Sequence, residues 1–167
     1  MTPLMISFES KIISVQSLKK KLFSLRAQGR TIAFTNGCFD LMHLGHVKYL
    51  QAARQKNRIL IVGLNTDQSV RHIKGDSRPV CPQQSRAAVL AALSSVDFVV
   101  LFNEDTPYKL IQALKPDILI KGADWKGKRI VGVDLVKGVE FVKYIKGFST
   151  TGTIRKMKYG KRSLSHY

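Results

Sequence analysis

The chain has 167 residues, room for one domain with a real core and too little for two ordinary ones. Its 28 Lys and Arg against 11 Asp and Glu give a formal charge of +17, which points to acidic partners: nucleic acid, an anionic membrane surface or small phosphorylated substrates. No run is apolar enough to span a bilayer, and the first ten residues lack the basic-then-apolar pattern of a signal peptide. Cys38 and Cys81 form no metal-ligand pattern, and the expectation is a cytoplasmic protein with reduced thiols. Much of the positive charge lies at the ends, in Lys19-Lys20-Lys21 and between residues 156 and 162, which favours solvated, peripheral charge over one binding stripe.

Residues 1–13 read as a flexible leader. From Ser14 onward Val15, Leu18, Leu22 and Leu25 recur with helical period, and the pattern stops at Gly29. Residues 31–35 are a first buried strand, 46–55 a helix and 58–64 a second, fully apolar strand. Residues 65–82 are polar, punctuated by Gly and Pro, and basic through Arg71, Lys74 and Arg78, so they read as a functional loop. An Ala/Leu-rich helix over 83–95 precedes a strand at 98–102. Thr106-Pro107 starts a helix that ends before Lys115-Pro116. A strand at 117–120 breaks at Lys121-Gly122-Ala123-Asp124-Trp125, a weaker helix follows at 131–136, and a strand at 139–145. Ser149-Thr150-Thr151 caps a last helix reaching about Met157.

Apolar strands alternating with helices call for an α/β fold: a doubly wound parallel sheet, covered on both faces, in a single domain over 14–157, with 158–167 a basic disordered tail. Ligands in such sheets bind at the carboxyl ends of the strands. The informative loops, 36–45, 65–82, 121–129 and 146–150, all follow strands and so converge on one site.

The strongest chemical signal is the run Thr35-Asn36-Gly37-Cys38-Phe39-Asp40-Leu41-Met42-His43-Leu44-Gly45-His46. An apolar strand enters a small-residue turn, and two histidines three apart open a helix. That spacing puts both imidazoles on one face of the first turn, where free amides and the positive dipole end attract anions. Gly45 between them admits close approach to the backbone. Zinc fits poorly, since no third ligand has suitable spacing. Gly147-Phe148-Ser149-Thr150-Thr151 either caps a helix or holds phosphate oxygens. Lys74 and Arg78 suit mobile cations for phosphate, and Arg86, at a helix start, needs a reason to be there. Asp124 fits a sugar or ribose hydroxyl, and Trp125 either walls the pocket or serves the fold. Asp40 either orients His43 or a metal–phosphate complex, or stabilises its turn.

Taken together, residues 35–50, 61–80, 103–125, 130–134 and 147–154 resemble the nucleotidyltransferase superfamily of the cytidylyltransferase type, whose signature is His-x-Gly-His after the first strand. The nearest likeness is to bacterial D-glycero-β-D-manno-heptose 1-phosphate adenylyltransferases, which occur as one domain of a bifunctional kinase/adenylyltransferase or as a standalone chain. The chain's length implies the standalone form. The resemblance implies a Rossmann-like nucleotidyltransferase domain and transfer of AMP from ATP to the sugar 1-phosphate, for lipopolysaccharide core biosynthesis. It makes His43, His46 and Lys74 catalytic. It places Asn36, Gly37, Cys38, Phe39, Gly45, Arg86, Gly147, Ser149 and Thr150 on the nucleotide, and Asp40, Lys74, Asp124 and Trp125 on the substrate. It further implies Mg²⁺ carried with ATP, no metal bound by the protein itself, and a homodimer, with neither membrane nor specific nucleic acid as partner.

Glycerol-3-phosphate cytidylyltransferases share the histidines and the Ser-Thr-Thr turn. Their Arg-Thr-Glu-Gly lead-in is Tyr144-Ile145-Lys146-Gly147 here, which argues against CTP. Residues 137–139 look shortened against the heptose pattern, and Arg155 replaces a usual acidic residue. The rival readings are a transferase acting on another phosphorylated alcohol and a nucleic-acid-binding protein on the same fold.

Overall fold

The computed structural model describes residues 7–143, 147–148 and 150–159. Helices and strands follow in the order α1 (Val15–Ala27), β1 (Thr31–Gly37), α2 (Leu44–Ala53), β2 (Arg58–Asn65), α3 (Asp67–Lys74), α4 (Gln83–Ala92), β3 (Phe98–Phe102), α5 (Tyr108–Leu114), β4 (Ile118–Gly122), β5 (Gly138–Val142) and α6 (Thr150–Tyr159). All strand pairs are parallel, in the order β3-β2-β1-β4-β5. The chain lays down β1, β2 and β3 in one direction and then returns to the other side of β1. The strand order therefore reverses between β1 and β4, and a crevice opens outside their carboxyl ends.

Each strand feeds both faces of the sheet because successive side chains point oppositely. Ile32 and Phe34 of β1 join Ile59 and Ile61 of β2 under α1 and α5, where Leu18, Leu22, Leu110, Ile111 and Leu114 close one core. Ala33, Leu60, Val62 and Leu64 face the other way, under Leu50 and Ala53 of α2 and Ala87, Leu90 and Ala91 of α4. Leu18 and Leu22 are four apart, one helical turn, which is why the period of α1 survives into the packing. Two aspartates at strand entrances hold the register. Asp97 accepts the Leu60 N–H at 2.7 Å, and Asp117 accepts the Ile32 N–H at 2.9 Å.

The doubly wound single sheet agrees with the sequence reading, and several boundaries differ from it. Order begins before residue 13: Phe8–Lys11 forms a 3-10 turn, and the Ile13 N–H donates to the Val99 carbonyl at 3.0 Å, so that stretch pairs with the edge of the sheet. The supposed loop at 65–82 contains α3. The Thr66 side chain caps this helix by accepting from Ser69 N, Asp67 sits in its first turn, and Gly75, at φ 90°, ends it. Val70 and Ser69 are buried on its inner side. The weak helix at 131–136 is a short 3-10 turn at Val133–Leu135, and β5 ends at Val142. Residues 144–145 of the expected strand and 160–167 of the expected tail lie outside the described residues, while α6 runs to Tyr159.

Candidate active site

A cavity of about 630 Å³ occupies the crevice at the carboxyl ends of β1 and β4. A hollow of about 620 Å³ at the opposite, amino end of the sheet is edged by Arg26, Arg30 and Lys137. Its Asp117 is already paired with Lys137, and Arg26 is spent on the carbonyls of Leu114 and Lys115. The switch-point cavity is where the sequence-predicted residues meet. Asn36, Gly37, Cys38, Phe39, Asp40, His43, Gly45, His46, Lys74, Asp124, Trp125 and Thr150 all line it.

The two histidines are placed by the start of α2. His43 is the N-cap: its Nδ1 accepts from the His46 backbone N–H at 3.3 Å, sharing an amide that also donates to the His43 carbonyl at 2.9 Å. The imidazoles stack, with centroids 3.8 Å apart and planes 15° from parallel. Phe39, in the left-handed region at φ 41°, tilts its ring against His46 at 5.2 Å. Phe148 lies 6.5 Å from His43 on the far side. A Cβ at Gly45 would press on the His43 ring at 3.0 Å and on the Phe148 Cβ at 3.3 Å, so glycine lets the His43 ring keep this position without a shift.

These contacts favour one tautomer of each ring. His43 Nδ1 accepts a bond, so its proton resides on Nε2. His46 Nδ1 is buried with no partner among the described residues, and a lone pair tolerates that better than an N–H, so its proton also resides on Nε2. Burial first, and the neighbouring His43 second, depress the His46 pKa to about 4; burial also lowers that of His43. At neutral pH the pair is uncharged and offers two Nε2–H donors.

Asp40 is buried and fully engaged. It accepts from Arg78 Nε at 2.6 Å and from the Val80 and Cys81 amides at 2.8 and 2.9 Å, and these bonds hold its carboxyl below the usual carboxylate range against the opposing effect of burial. It therefore fastens the 78–81 segment over the cavity and aims Arg78. Nothing links it to His43, so the turn-stabilising alternative describes its contacts. Lys74, at the exposed end of α3, reaches the cavity rim. Cys38 stays a thiol, because burial raises its pKa more than Lys74, Arg86 and Arg78 lower it.

Arg86 departs from its expected place on the nucleotide. Its side chain is wholly buried behind the cavity and donates to the carbonyls of Cys81, Cys38 and Asn65 and to the Asp67 carboxylate. One guanidinium thus ties the β1 turn, the end of β2, the start of α3 and the 81 segment together. A cation at that depth needs this many acceptors; they take four of its five N–H groups, and the side chain does not line the cavity. Gly147, at φ 90°, precedes α6 without lining the cavity. Thr150 Oγ1 donates to the Leu41 carbonyl at 3.5 Å and Thr151 joins the wall. Ser149 lies outside the described residues.

Sequence reasoning missed two residues. Tyr49 Oη shares a 2.8 Å bond with Thr35 and donates to the Ile120 carbonyl at 2.9 Å, strutting α2 against β4; burial pushes its pKa up to about 12. Lys121, in β4, points into the cavity and donates to Asn36 Oδ1 at 2.7 Å. A lysine closing the apolar run Ile118-Leu119-Ile120 was the visible signal, passed over in favour of the Asp and Trp beside it.

A parallel sheet with its cavity at the switch point, two imidazole donors at a helix start and basic rims define a phosphate-handling domain of the nucleotidyltransferase class. The chain belongs to the cytidylyltransferase-like family, whose model matches residues 34–155. It is 52% identical over 151 residues to the Bifunctional protein HldE of Campylobacter fetus subsp. fetus, covering 90% of this chain and 32% of that protein. The HldE of Nitratiruptor sp. is 54% identical over 134 residues, 80% of this chain and 29% of that protein. The chain thus spans about a third of the length of these relatives. Among solved structures, the lipopolysaccharide core biosynthesis protein of Thermoplasma volcanium is 27% identical with a TM-score of 0.56, covering 69% of this chain and 98% of that one.

Proposed function

We propose that the domain transfers AMP from ATP to D-glycero-β-D-manno-heptose 1-phosphate, forming ADP-heptose for the lipopolysaccharide core and releasing pyrophosphate. The observation that carries the chemistry is the stacked His43–His46 pair lining the cavity at the start of α2, whose Nε2–H groups suit phosphate oxygens. The choice of ATP and a heptose phosphate is supported by the likeness to the HldE proteins across most of the chain.

A phosphate oxygen of the sugar 1-phosphate attacks the α-phosphorus in line. The new O–P bond forms as the α–β bridging bond breaks, and pyrophosphate leaves with the electron pair. No protein nucleophile is needed; the domain positions reactants and stabilises charge on the phosphoryl oxygens. His43 and His46 donate to the α- and β-phosphates, and the α2 amides add to them. Lys74 and Arg78 approach from the α3 side to neutralise the acceptor or the departing phosphates. Asp124 and Trp125, on the β4 side, hold a sugar or ribose. Asp40 and Asp105 already accept bonds from Arg78, Val80, Cys81 and His72. The triphosphate's own oxygens and water are then the natural ligands of Mg²⁺, which screens the phosphate charge. Among the described residues no helix is long and apolar enough to cross a membrane, as suits an enzyme of water-soluble substrates.

The test is pyrophosphate release with Mg²⁺, each nucleoside triphosphate and a panel of sugar phosphates. Release is expected with ATP and only when heptose 1-phosphate is present. Turnover with CTP but not ATP overturns the assignment.

A further inference from the structure

Lys121 is a buried cation for which the site as described has no use. It stands at the end of β4, across the switch point from Asn36 at the end of β1, and only 9% of the residue is exposed. Asn36 Oδ1 takes one of its three N–H groups at 2.7 Å, and the Trp125 ring lies 5.3 Å beneath the ammonium. No carboxylate pairs with it among the described ion pairs, although Arg54, Arg58, Arg78, Arg86 and Lys137 each have one. Burial alone pulls its pKa down to about 8. A strand-end lysine could lie along the surface with its head in water, as long side chains usually do. Here it is turned inward, oriented by a neutral amide and an aromatic face, with donors left over and no counter-ion. Desolvating an ammonium in this way is costly unless an anion completes the site.

We propose that Lys121, oriented by Asn36 and Trp125, is the receptor for a phosphoryl oxygen of a bound substrate at the switch point. The inference rests on the nucleotidyltransferase reading for what enters the cavity. Both substrates carry that chemistry, the nucleotide in its phosphates and the acceptor in its phosphate monoester. The histidines supply neutral donors, Lys74 stands at the exposed rim and Arg78 is paired with Asp40, so among the described residues Lys121 is the buried cation lining the cavity without a carboxylate. Holding this ammonium also accounts for a polar Asn36 near the end of a largely apolar strand.

The test compares wild type with Lys121→Met, Lys121→Arg and Asn36→Ala by titration calorimetry. The probes are Mg²⁺ with α,β-methylene-ATP, D-glycero-β-D-manno-heptose 1-phosphate, and the unphosphorylated heptose. Met matches the length of the lysine stem and removes the buried charge, and a urea midpoint at or above that of wild type confirms an intact fold. The expected result is a loss of roughly tenfold or more in affinity for one phosphorylated probe. Partial recovery in Lys121→Arg, a smaller loss in Asn36→Ala, and unchanged binding of the bare sugar should accompany it. Which probe is lost, nucleotide or sugar phosphate, assigns the oxygen. Affinities of Lys121→Met within threefold of wild type for both phosphorylated probes overturn the proposal, as does a wild-type protein that binds neither. Wild-type turnover is measured alongside. Turnover with heptose 1-phosphate but an indifferent Lys121→Met leaves the functional reading and removes this inference. Lysine-dependent binding of the nucleotide analogue without such turnover does the reverse.

Discussion

Replacing His46 with alanine separates what its imidazole does in catalysis from what its burial does to stability. The ring sits between His43 at 3.8 Å and Phe39 at 5.2 Å, lines the cavity, and leaves Nδ1 without a partner among the described residues. Loss of one well-placed donor to developing phosphoryl charge costs about 2.7–4 kcal/mol of barrier, so kcat should fall by about 10²–10³. The second effect is on how stability depends on pH. The folded pKa of about 4 lies below the ordinary 6.5, so the unfolded chain binds the extra proton in the window between them. Wild-type stability is therefore full above about pH 6.5 and declines as pH falls towards 4. Between pH 7 and pH 5 that amounts to about 2 kcal/mol, or about 1–2 kcal/mol after solvent screening of a partly exposed ring. His46→Ala should lose that component of the acid sensitivity. Pyrophosphate release under saturating substrates reads the first effect, and urea midpoints at pH 7 and pH 5 read the second. Turnover within threefold of wild type, or an acid destabilisation identical in both proteins, refutes the reasoning.

Three further substitutions probe the frame around the histidines. Asp40→Asn weakens one buried carboxylate's hold on Arg78, Val80 and Cys81, and should cost about 2–4 kcal/mol in urea unfolding while raising KM for ATP. Arg86 discriminates brace from ligand. As a brace to four acceptors, it should be replaced no better by Lys than by Met, with both lowering the thermal midpoint by several degrees, whereas preserved stability and rate in Arg86→Lys would indicate a simple charge contact. Gly45→Ala improves helix propensity yet presses on the His43 ring, so urea stability should hold or rise while kcat falls about tenfold or more.

Much of this was legible beforehand because local chemistry left periodic marks. Leu18 and Leu22 announced α1, the apolar run at 58–64 announced a strand buried on both faces, and strand–helix alternation announced the parallel sheet. The His-x-Gly-His turn carried its own geometry, since a helix start fixes both imidazoles within one turn. Helix α3 was readable from Thr66, Asp67 and Gly75, but its polar outer face hid it inside an apparent loop, because only Val70 supplies a large buried hydrophobe.

Other roles were set by contacts between segments far apart in the chain, on which sequence spacing is silent. Arg86 touches Cys38, 48 residues away, and Lys121 touches Asn36, 85 residues away. From sequence alone a cation near a phosphate site reads as a phosphate ligand. Only the folded chain decides that Arg86 is buried on three backbone carbonyls and one aspartate, while Lys121 lines the cavity without a carboxylate partner among the described residues. The sequence by itself determined the fold class and the placing of two histidines at one helix start, both consequences of local periodicity and helix geometry. The tertiary structure decided which charges line the switch-point cavity, because desolvation and pairing depend on what the sheet order brings together there.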